Sequence, residues 1–167
     1  MQHLLDSVRS AIQARNWYAA LGVALALPDI CGQLENPAQK SKVRYIDWFN
    51  AYLAPHYTRK VAGREHQFLS GEDCYALRCV YLHRGEFDIS GQPVRKVLES
   101  IGFVAPQKGL FFHLNQADQR LQLQVDTFCE ELCVATEVWL NSMRNSADIQ
   151  ARICQLPQIV TGTNVRI

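Results

Sequence analysis

The 167-residue chain has almost no net charge and none of the common nucleotide-binding or hydrolase motifs. Its 17 Lys and Arg residues nearly balance 16 Asp and Glu residues, which leaves a formal net charge of +1. So small a net charge excludes a strongly basic protein that coats nucleic acid without specificity. The sequence contains no GxGxxG, P-loop or GxSxG pattern, so nothing points to a dinucleotide, Walker-type phosphate or α/β-hydrolase site.

Segments that would direct the chain into or across a membrane are also missing. The stretch MQHLLDSVRSAIQARNW carries charges throughout and lacks an apolar run with a small-residue cleavage site, so no secretory signal is expected. No stretch approaches the roughly 18 apolar residues of a membrane span, and the longest candidate ends at Pro28 and Asp29. We therefore expect a soluble, cytoplasmic protein with no membrane partner.

The six cysteines contain no CxxC pair. Because no export signal is expected, we predict reduced and mostly buried thiols. The spacing of Cys74 and Cys79 does not match the usual zinc-ligand patterns, and no metal or other cofactor is predicted.

Apolar periodicity predicts a mainly α fold in a single domain over residues 1–167, a bundle of about five helices with a small β-hairpin insertion. The hairpin is expected at about 110–125 and a short C-terminal tail at about 155–167. The first helix is expected at 3–15, and the second begins at Trp17 with Asn16 as its cap. The third ends before Pro55, and the fourth runs from Ser70 to about His83. A long helix capped by Asp126 or Thr127 and a short one at 146–154 complete the set.

Three further expectations concern the connections. Pro28 should kink the second helix or end it near Leu27. The segment 31–41 resembles a loop, and 54–69 should be irregular until Ser70. The segment between Gly85 and the hairpin gives no clear pattern.

The stretch SGEDCYALRCVYLHRG, residues 70–85, has the features of a helix with well-formed ends. Ser70 is a good N-cap, Asp73 three residues later resembles a capping box, and Gly85 can adopt the left-handed conformation that ends many helices. Acidic residues in the first turn and basic residues in the last turn complement the helix dipole.

Arg78 is the one polar residue in this stretch that the helix ends do not explain. It lies among apolar neighbours, and burying an unpaired guanidinium is costly. It must therefore reach solvent, face a polar cleft or pair with a carboxylate, for which Asp29, Glu35 and Asp47 are candidates.

Arg78 and His83 form an R-x4-H pattern, and ALRCVYLHRG resembles the R-x4-6-H signature of HEPN-domain proteins. These are helical bundles, many of which are metal-independent ribonucleases in toxin–antitoxin, phage-defence and RNA-processing systems. The resemblance implies a homodimer whose two motifs meet in one cleft, an antitoxin or other protein partner, and an endoribonuclease that leaves 2′,3′-cyclic phosphate ends. Cys79 follows Arg78 where many members carry Asn, Asp or His.

The residue types suit this chemistry. A neutral histidine can act as general base, and a permanently charged arginine can stabilise the transition state, with catalytic roles for His83 and Arg78 respectively. Five residues on an ideal helix separate two side chains by about 140° around the axis and about 7.5 Å along it. They can cooperate only if the last turn is distorted or a second copy completes the cleft.

A basic region precedes the motif and is a candidate RNA-binding surface. Residues 40–66 have a local net charge of +4, although a solvated helix face and a flexible loop would give the same pattern. The candidate RNA-binding residues are Lys40, Lys42, Arg44, Arg59, Lys60, Arg64 and Arg84. Tyr75, Tyr81 and Asp29 are candidate accessory residues, and the tyrosines would otherwise belong to the core.

Two other functions fit the same residues. The chain could be a non-catalytic interaction or antitoxin-like module, in which Arg78 pairs with a buried carboxylate and His83 only caps the helix. It could instead be a small-ligand or nucleotide-binding bundle with a pocket near Asp29, Cys31 and Arg78. His113, in the predicted hairpin, is expected to be half-buried and hydrogen-bonded.

Overall fold

Six α-helices and five short strands form the part of the chain that the computed structural model describes, residues 1–159. Residues 160–167, which belong to the predicted C-terminal tail, lie outside the described residues. The mainly α fold with a small β insertion is confirmed. The helices are α1 (Gln2–Gln13), α2 (Trp17–Glu35), α3 (Ser41–Tyr52), α4 (Gly71–Arg84), α5 (Val125–Ser142) and α6 (Ala147–Cys154), and a 3-10 helix spans Ala54–Tyr57.

The central helix is α2, which packs against α1, α3 and α5. The predicted N-cap is confirmed, because the side chain of Asn16 accepts a hydrogen bond from the backbone N–H of Ala19. The prediction that no stretch approaches a membrane span in length and apolarity needs correction, because within residues 1–159 helix α2 alone is long and apolar enough for one, by length and composition. Its apolar residues are largely buried in the common core, as in the central helix of a soluble protein.

Pro28 lies inside α2, so of the two predicted outcomes, a kink or an end near Leu27, the helix end is wrong. Proline removes one backbone hydrogen bond, at a cost of about 3 kcal/mol in a helix interior. Pro28 is itself buried, and the packing of α2 against three other helices outweighs that cost. The loop predicted over 31–41 is therefore shorter than expected: it covers 36–40, and residues 31–35 belong to α2.

The segment predicted to be irregular, 54–69, contains a β-hairpin. Strands β1 (Thr58–Val61) and β2 (Arg64–Gln67) pair antiparallel, and Val61 is opposite Arg64. The two turn residues, Ala62 and Gly63, have φ angles of 49° and 79°, the left-handed values that tight hairpins require. The sequence did not indicate this hairpin because its strands are polar and its turn lacks the usual Asn-Gly or Asp-Gly pair.

A second sheet has the order β3-β5-β4, with strands β3 (Ser100–Val104), β4 (Asn115–Ala117) and β5 (Arg120–Gln124). The antiparallel pair of β4 and β5 corresponds to the predicted hairpin, although residues 110–114 do not belong to its first strand. β3 runs parallel to β5 and was not predicted.

Helix α5 begins directly after β5 and packs against α2. The predicted cap at Asp126 or Thr127 is wrong, because the helix already starts at Val125 with Gln124 as N-cap. Its predicted inner face is confirmed, since Phe128, Leu132, Ala135 and Trp139 are all buried. The short helix expected at 146–154 is α6.

Candidate nucleic-acid interface

Helix α4 has the capped ends that its sequence predicts. The hydroxyl of Ser70 accepts a hydrogen bond from the backbone N–H of Asp73 at 3.1 Å and donates one to Oδ2 of the same residue at 2.7 Å. At the other end, Gly85 has a φ of 69° and its N–H donates to the carbonyl of Tyr81. Capping therefore accounts for the ends of the helix and leaves Arg78 to be explained by its surroundings.

Arg78 pairs with Asp29, one of its three predicted partners. Its Nη2 lies 3.0 Å from Oδ2 of Asp29. The other oxygen, Oδ1, lies 3.4 Å from Nε of Arg44 and accepts a hydrogen bond from Ser41 at 2.9 Å. Helices α2, α3 and α4 thus meet at one carboxylate, and we refer to Asp29, Ser41, Arg44 and Arg78 as the Asp29 cluster.

The two other candidate partners of Arg78 have different roles. Glu35 accepts a hydrogen bond from the indole N–H of Trp139 at 2.9 Å. Asp47 accepts one from the side-chain amide of Gln39 at 3.0 Å. Asp29 is therefore the carboxylate that the fold brings to Arg78.

The Asp29 cluster carries more positive than negative charge. Two guanidinium groups share one carboxylate, and the side chains of Arg44, Asp29 and Arg78 are only 15%, 18% and 21% exposed. Nε of Arg78 is buried and has no hydrogen-bond partner among residues 1–159. Nε of Arg44 faces Asp29 without hydrogen-bond geometry. These two nitrogens are too buried to reach an outside anion, but the net positive charge and the partial exposure of the two guanidinium groups favour a further anion at the surface of the cluster.

The two candidate accessory tyrosines differ in their surroundings. Tyr75 packs edge-on against Tyr45, with ring centroids 5.3 Å apart, and burial and the neighbouring Cys79 thiol raise the pKa of its hydroxyl. Tyr81 stacks on Phe87 with centroids 5.6 Å apart, and its hydroxyl donates to the carbonyl of Tyr18 at 3.0 Å. Only Tyr75 belongs to the neighbourhood of Arg78.

Arg78 and His83 do not share a face of α4. The helix is regular through Arg84, so the two side chains are separated by the roughly 140° of an ideal helix, and His83 is exposed. The distorted last turn that would bring them together within one chain is not observed. Arg78 and His83 could therefore act together only if a second copy of the chain completes the cleft.

Helices α3 and α4 run antiparallel, which places Arg84 and Arg78 at the same end of the pair as the start of α3. The contacts show this direction. Gly71, at the start of α4, lies against Ile46 and Asn50 in the second half of α3, whereas Arg78, further along α4, meets Arg44 near the start of α3 through their shared partner Asp29. We call this end of the helix pair the Arg78 end. Of the predicted RNA-binding residues it contains Lys40, Lys42, Arg44 and Arg84.

The other three predicted RNA-binding residues lie elsewhere. Arg59, Lys60 and Arg64 are exposed on the β1–β2 hairpin, which follows the far end of α3. A 12-residue helix such as α3 is about 18 Å long. The basic region that is continuous in sequence is therefore split between the Arg78 end and the hairpin.

His113 and Cys31, which the sequence also singled out, are both buried. The side chain of His113 is 5% exposed, and its Nε2 lies 3.3 Å from Glu131. Its Nδ1 accepts a hydrogen bond from the backbone N–H of Gln124, so the predicted hydrogen bonding is confirmed, although the side chain is more buried than the half-buried state expected. Cys31 is fully buried, and burial raises the pKa of its thiol. Among the described residues, no three His, Cys, Asp or Glu side chains are placed to bind a metal ion.

Sequence reasoning missed the second role of Asp73. Its Oδ1 accepts hydrogen bonds from the backbone N–H groups of Lys96, Val97 and Leu98, at 2.7, 3.2 and 3.4 Å. Asp73 thereby fixes the segment before β3 to the N-terminus of α4. One feature of the sequence could have indicated this role. Position 73 carries Asp, whereas a capping box usually has the longer Glu or Gln at that position.

Comparison of the chain with protein-family models, curated proteins and solved structures finds no significant match.

Proposed function

We propose that the chain is a HEPN-like, cytoplasmic RNA-binding protein that binds RNA phosphates at its Arg78 end. The observation that supports this most directly is that Arg44 and Arg78 share a single carboxylate, Asp29. The planar guanidinium group suits phosphate because it can donate two parallel hydrogen bonds. Arg44 also donates to the backbone carbonyl of Gln39 at 2.9 Å, but the two positive charges still exceed the single negative charge of Asp29.

The start of α3 adds to the attraction for an anion. Within residues 1–159, no side chain caps its N-terminus and no acidic residue lies in its first turn. The carboxylate of Asp29 lies beside this helix end, where it accepts a hydrogen bond from Ser41, and the exposed Lys40 and Lys42 add two positive charges to the positive end of the helix dipole. Phosphate is the anion that a strand of RNA presents repeatedly.

Cleavage of RNA by Arg78 and His83 requires two copies of the chain in this proposal. Within one chain the two side chains point in different directions, and His83 is exposed and free to face a partner. In a homodimer, His83 of one chain would take the proton from the 2′-hydroxyl, whose oxygen attacks the adjacent phosphorus to form the 2′,3′-cyclic phosphate. The bond from phosphorus to the 5′-oxygen breaks, and that oxygen takes up a proton from water or from the protonated histidine. Arg78 of the other chain would stabilise the phosphorane-like transition state.

A non-catalytic interaction or antitoxin-like module is the second candidate. It is favoured by the ion pair between Arg78 and Asp29 at 3.0 Å, which gives the guanidinium a partner inside the chain. On this reading the Asp29 cluster holds α2, α3 and α4 together, and the bound partner is a protein.

One experiment distinguishes these functions. The wild type, Arg78→Ala and His83→Ala are incubated with single-stranded RNA in EDTA, and both binding and products are measured. Arg144→Ala is the control, since it removes one exposed positive charge at the end of α5.

The proposal predicts that the wild type and Arg144→Ala bind RNA, and that Arg78→Ala binds about tenfold more weakly. Cleavage by the wild type that is lost in both Arg78→Ala and His83→Ala, with 2′,3′-cyclic phosphate ends, identifies the dimeric ribonuclease. Binding without cleavage identifies a non-catalytic RNA-binding protein. No binding by the wild type overturns the proposal in favour of the interaction module.

A further inference from the structure

Three consecutive apolar side chains are exposed in the loop between β3 and β4. Leu110, Phe111 and Phe112 are 53%, 70% and 37% exposed. Single exposed apolar residues are common on protein surfaces, but adjacent ones that include two aromatic rings usually mark a contact site. The Arg78 end does not account for them.

The base of this loop is fixed. His113 is buried against Glu131, and its Nδ1 accepts from the backbone N–H of Gln124. The backbone N–H of Phe112 donates to the side chain of Gln124 at 3.4 Å. Because the adjacent residues are held in place, the ring of Phe111 is presented to solvent by an ordered support.

The loop lies beside the β1–β2 hairpin. The ring of His113 is 5.9 Å from that of Phe111 and 6.0 Å from that of Tyr57, the residue directly before β1. His66 of β2 and Gln116 of β4 are joined by a hydrogen bond of 2.9 Å. The exposed rings therefore share this end of the molecule with the exposed cations of the hairpin.

The positive charge of the hairpin and the loop favours single-stranded nucleic acid as the ligand of these exposed rings. Arg59, Lys60 and Arg64 of the hairpin and Lys108 of the loop are exposed. Residues 104–113 include no Asp or Glu, and the hairpin has one, the exposed Glu65 opposite Lys60, so the hairpin and the loop together carry a net charge of +3. Cations beside an exposed aromatic ring are the elements of a site for single-stranded nucleic acid, in which phosphates meet the cations and a base stacks on the ring. A protein interface of standard size buries about 800 Å² per partner, far more than three side chains supply.

We propose that Phe111 stacks on a base of single-stranded RNA while the hairpin cations hold the adjacent phosphates. The proposal rests on the RNA binding proposed above and specifies its substrate class. In a duplex the bases are already stacked and paired, so Phe111 cannot reach their faces. The protein should therefore prefer single-stranded RNA to a duplex of the same sequence and length.

The test uses the full chain, a fluorescently labelled 12-nucleotide oligouridine, and two substitutions at one position. Phe111→Leu keeps an apolar side chain but removes the aromatic face, and it should weaken binding about five- to hundredfold. Phe111→Trp keeps the face, so it should bind like the wild type, and the fluorescence of the new indole should be quenched by the stacked base. Neither substitution should change the slope of affinity against salt concentration.

A second variant tests the phosphate contacts separately. Lys60→Ala with Arg64→Ala should lower the salt dependence of binding by somewhat less than one unit of slope for each residue removed. Phe111→Leu should leave this slope unchanged because it carries no charge.

Each outcome has one meaning. If the wild type binds oligouridine and Phe111→Leu binds equally well, the stacking site is overturned while RNA binding at the Arg78 end stands. If the wild type binds no RNA, the proposed function fails and the stacking site fails with it. If Phe111→Leu instead abolishes binding to vesicles of anionic lipid and leaves RNA binding intact, the loop is a membrane contact and the stacking site is wrong.

Discussion

Asp73 and Arg78 both bring charge into partly or wholly buried surroundings on α4, but their partners differ. Asp73 is 2% exposed and accepts hydrogen bonds from four donors, the hydroxyl of Ser70 and three backbone N–H groups. Within residues 1–159, Arg78 pairs with one carboxylate, which it shares with Arg44. We therefore expect substitutions of Asp73 to change stability alone, and substitutions of Arg78 to change RNA binding as well.

Replacing Asp73 with alanine should lower the free energy of unfolding by about 2–4 kcal/mol, because it leaves buried donors without an acceptor. Urea unfolding measures the change. Glu72→Gln is the matched control in the same helical turn, and it should cost less than about 1 kcal/mol since it removes only an interaction with the helix dipole. Equal effects of the two substitutions would show that Asp73 acts only through its charge.

At the scale of the elements, the close approach of α2 and α3 depends on Gly32. A Cβ atom at this position would lie 3.0 Å from the carbonyl oxygen of Arg44 and 3.1 Å from its Cβ and Cγ. A Cβ atom at Gly22, in the same helix, would have the ring of Tyr81 as its nearest neighbour among residues 1–159, at 3.9 Å. The first glycine is required by packing, and the second is not.

Gly32→Ala should therefore destabilise the protein by about 1–3 kcal/mol, because the added methyl group pushes α3 away from α2. Gly22→Ala should stabilise it by about 0.5–1 kcal/mol, because alanine favours the helical conformation. Thermal or urea unfolding of both variants gives the comparison. A stabilising effect of Gly32→Ala would contradict the close packing of α2 and α3 at Arg44.

The helices could be predicted from the sequence because each presents apolar residues at helical spacing and several have recognisable caps, such as Asn16 and Ser70. The errors have physical causes. Helix α2 continues past Pro28 because it is packed against three other helices. The β1–β2 hairpin was missed because its strands are polar and its turn is uncommon. Strand β3 was missed because it depends on pairing with β5. A parallel partner 20 residues away leaves little local signal.

The candidate site was predictable in part for a similar reason. The need of Arg78 for a partner follows from its apolar neighbours, and Asp29 was among the candidates. The choice of Asp29, and the addition of Arg44 to the same carboxylate, depend on how three helices pack and leave no mark on local sequence. The catalytic pairing of Arg78 with His83 stays a prediction.

At the scale of the whole molecule, the core encloses four of the six cysteines, Cys31, Cys74, Cys129 and Cys133. Burial raises the pKa of Cys74 and of Cys133 from an ordinary value of 9.0 to about 12. The unfolded chain therefore releases thiol protons at a lower pH than the folded chain does. The stability that these neutral thiols contribute is complete below pH 9 and is lost as the pH rises towards 12.

The urea midpoint should accordingly fall as the pH is raised above about 9. A thiol reagent such as DTNB should react rapidly with the exposed Cys154 in the folded protein, and with the four buried thiols only on unfolding. Cys154→Ser should remove this rapid phase and leave a slower reaction of the partly buried Cys79. Rapid reaction of several thiols in the Cys154→Ser protein would contradict the enclosed core.

The central claim is that the Asp29 cluster binds RNA, and opposite substitutions within it provide the most direct measurement. Asp29→Asn frees both guanidinium groups, whereas Arg78→Ala removes one of them. Both should lower the free energy of unfolding, because each breaks a partly buried ion pair. Their effects on RNA affinity should have opposite signs. Asp47→Asn, which removes the same charge from the exposed surface of α3, is the control for net charge.

The measurement is the affinity for a labelled single-stranded RNA, under conditions in which all three variants are folded. The account predicts that Asp29→Asn binds about three- to tenfold more tightly than the wild type, that Arg78→Ala binds about tenfold more weakly, and that Asp47→Asn changes affinity less than either. If Asp29→Asn and Arg78→Ala both lose stability while RNA affinity is unchanged, the cluster only holds the helices together and the central claim is wrong.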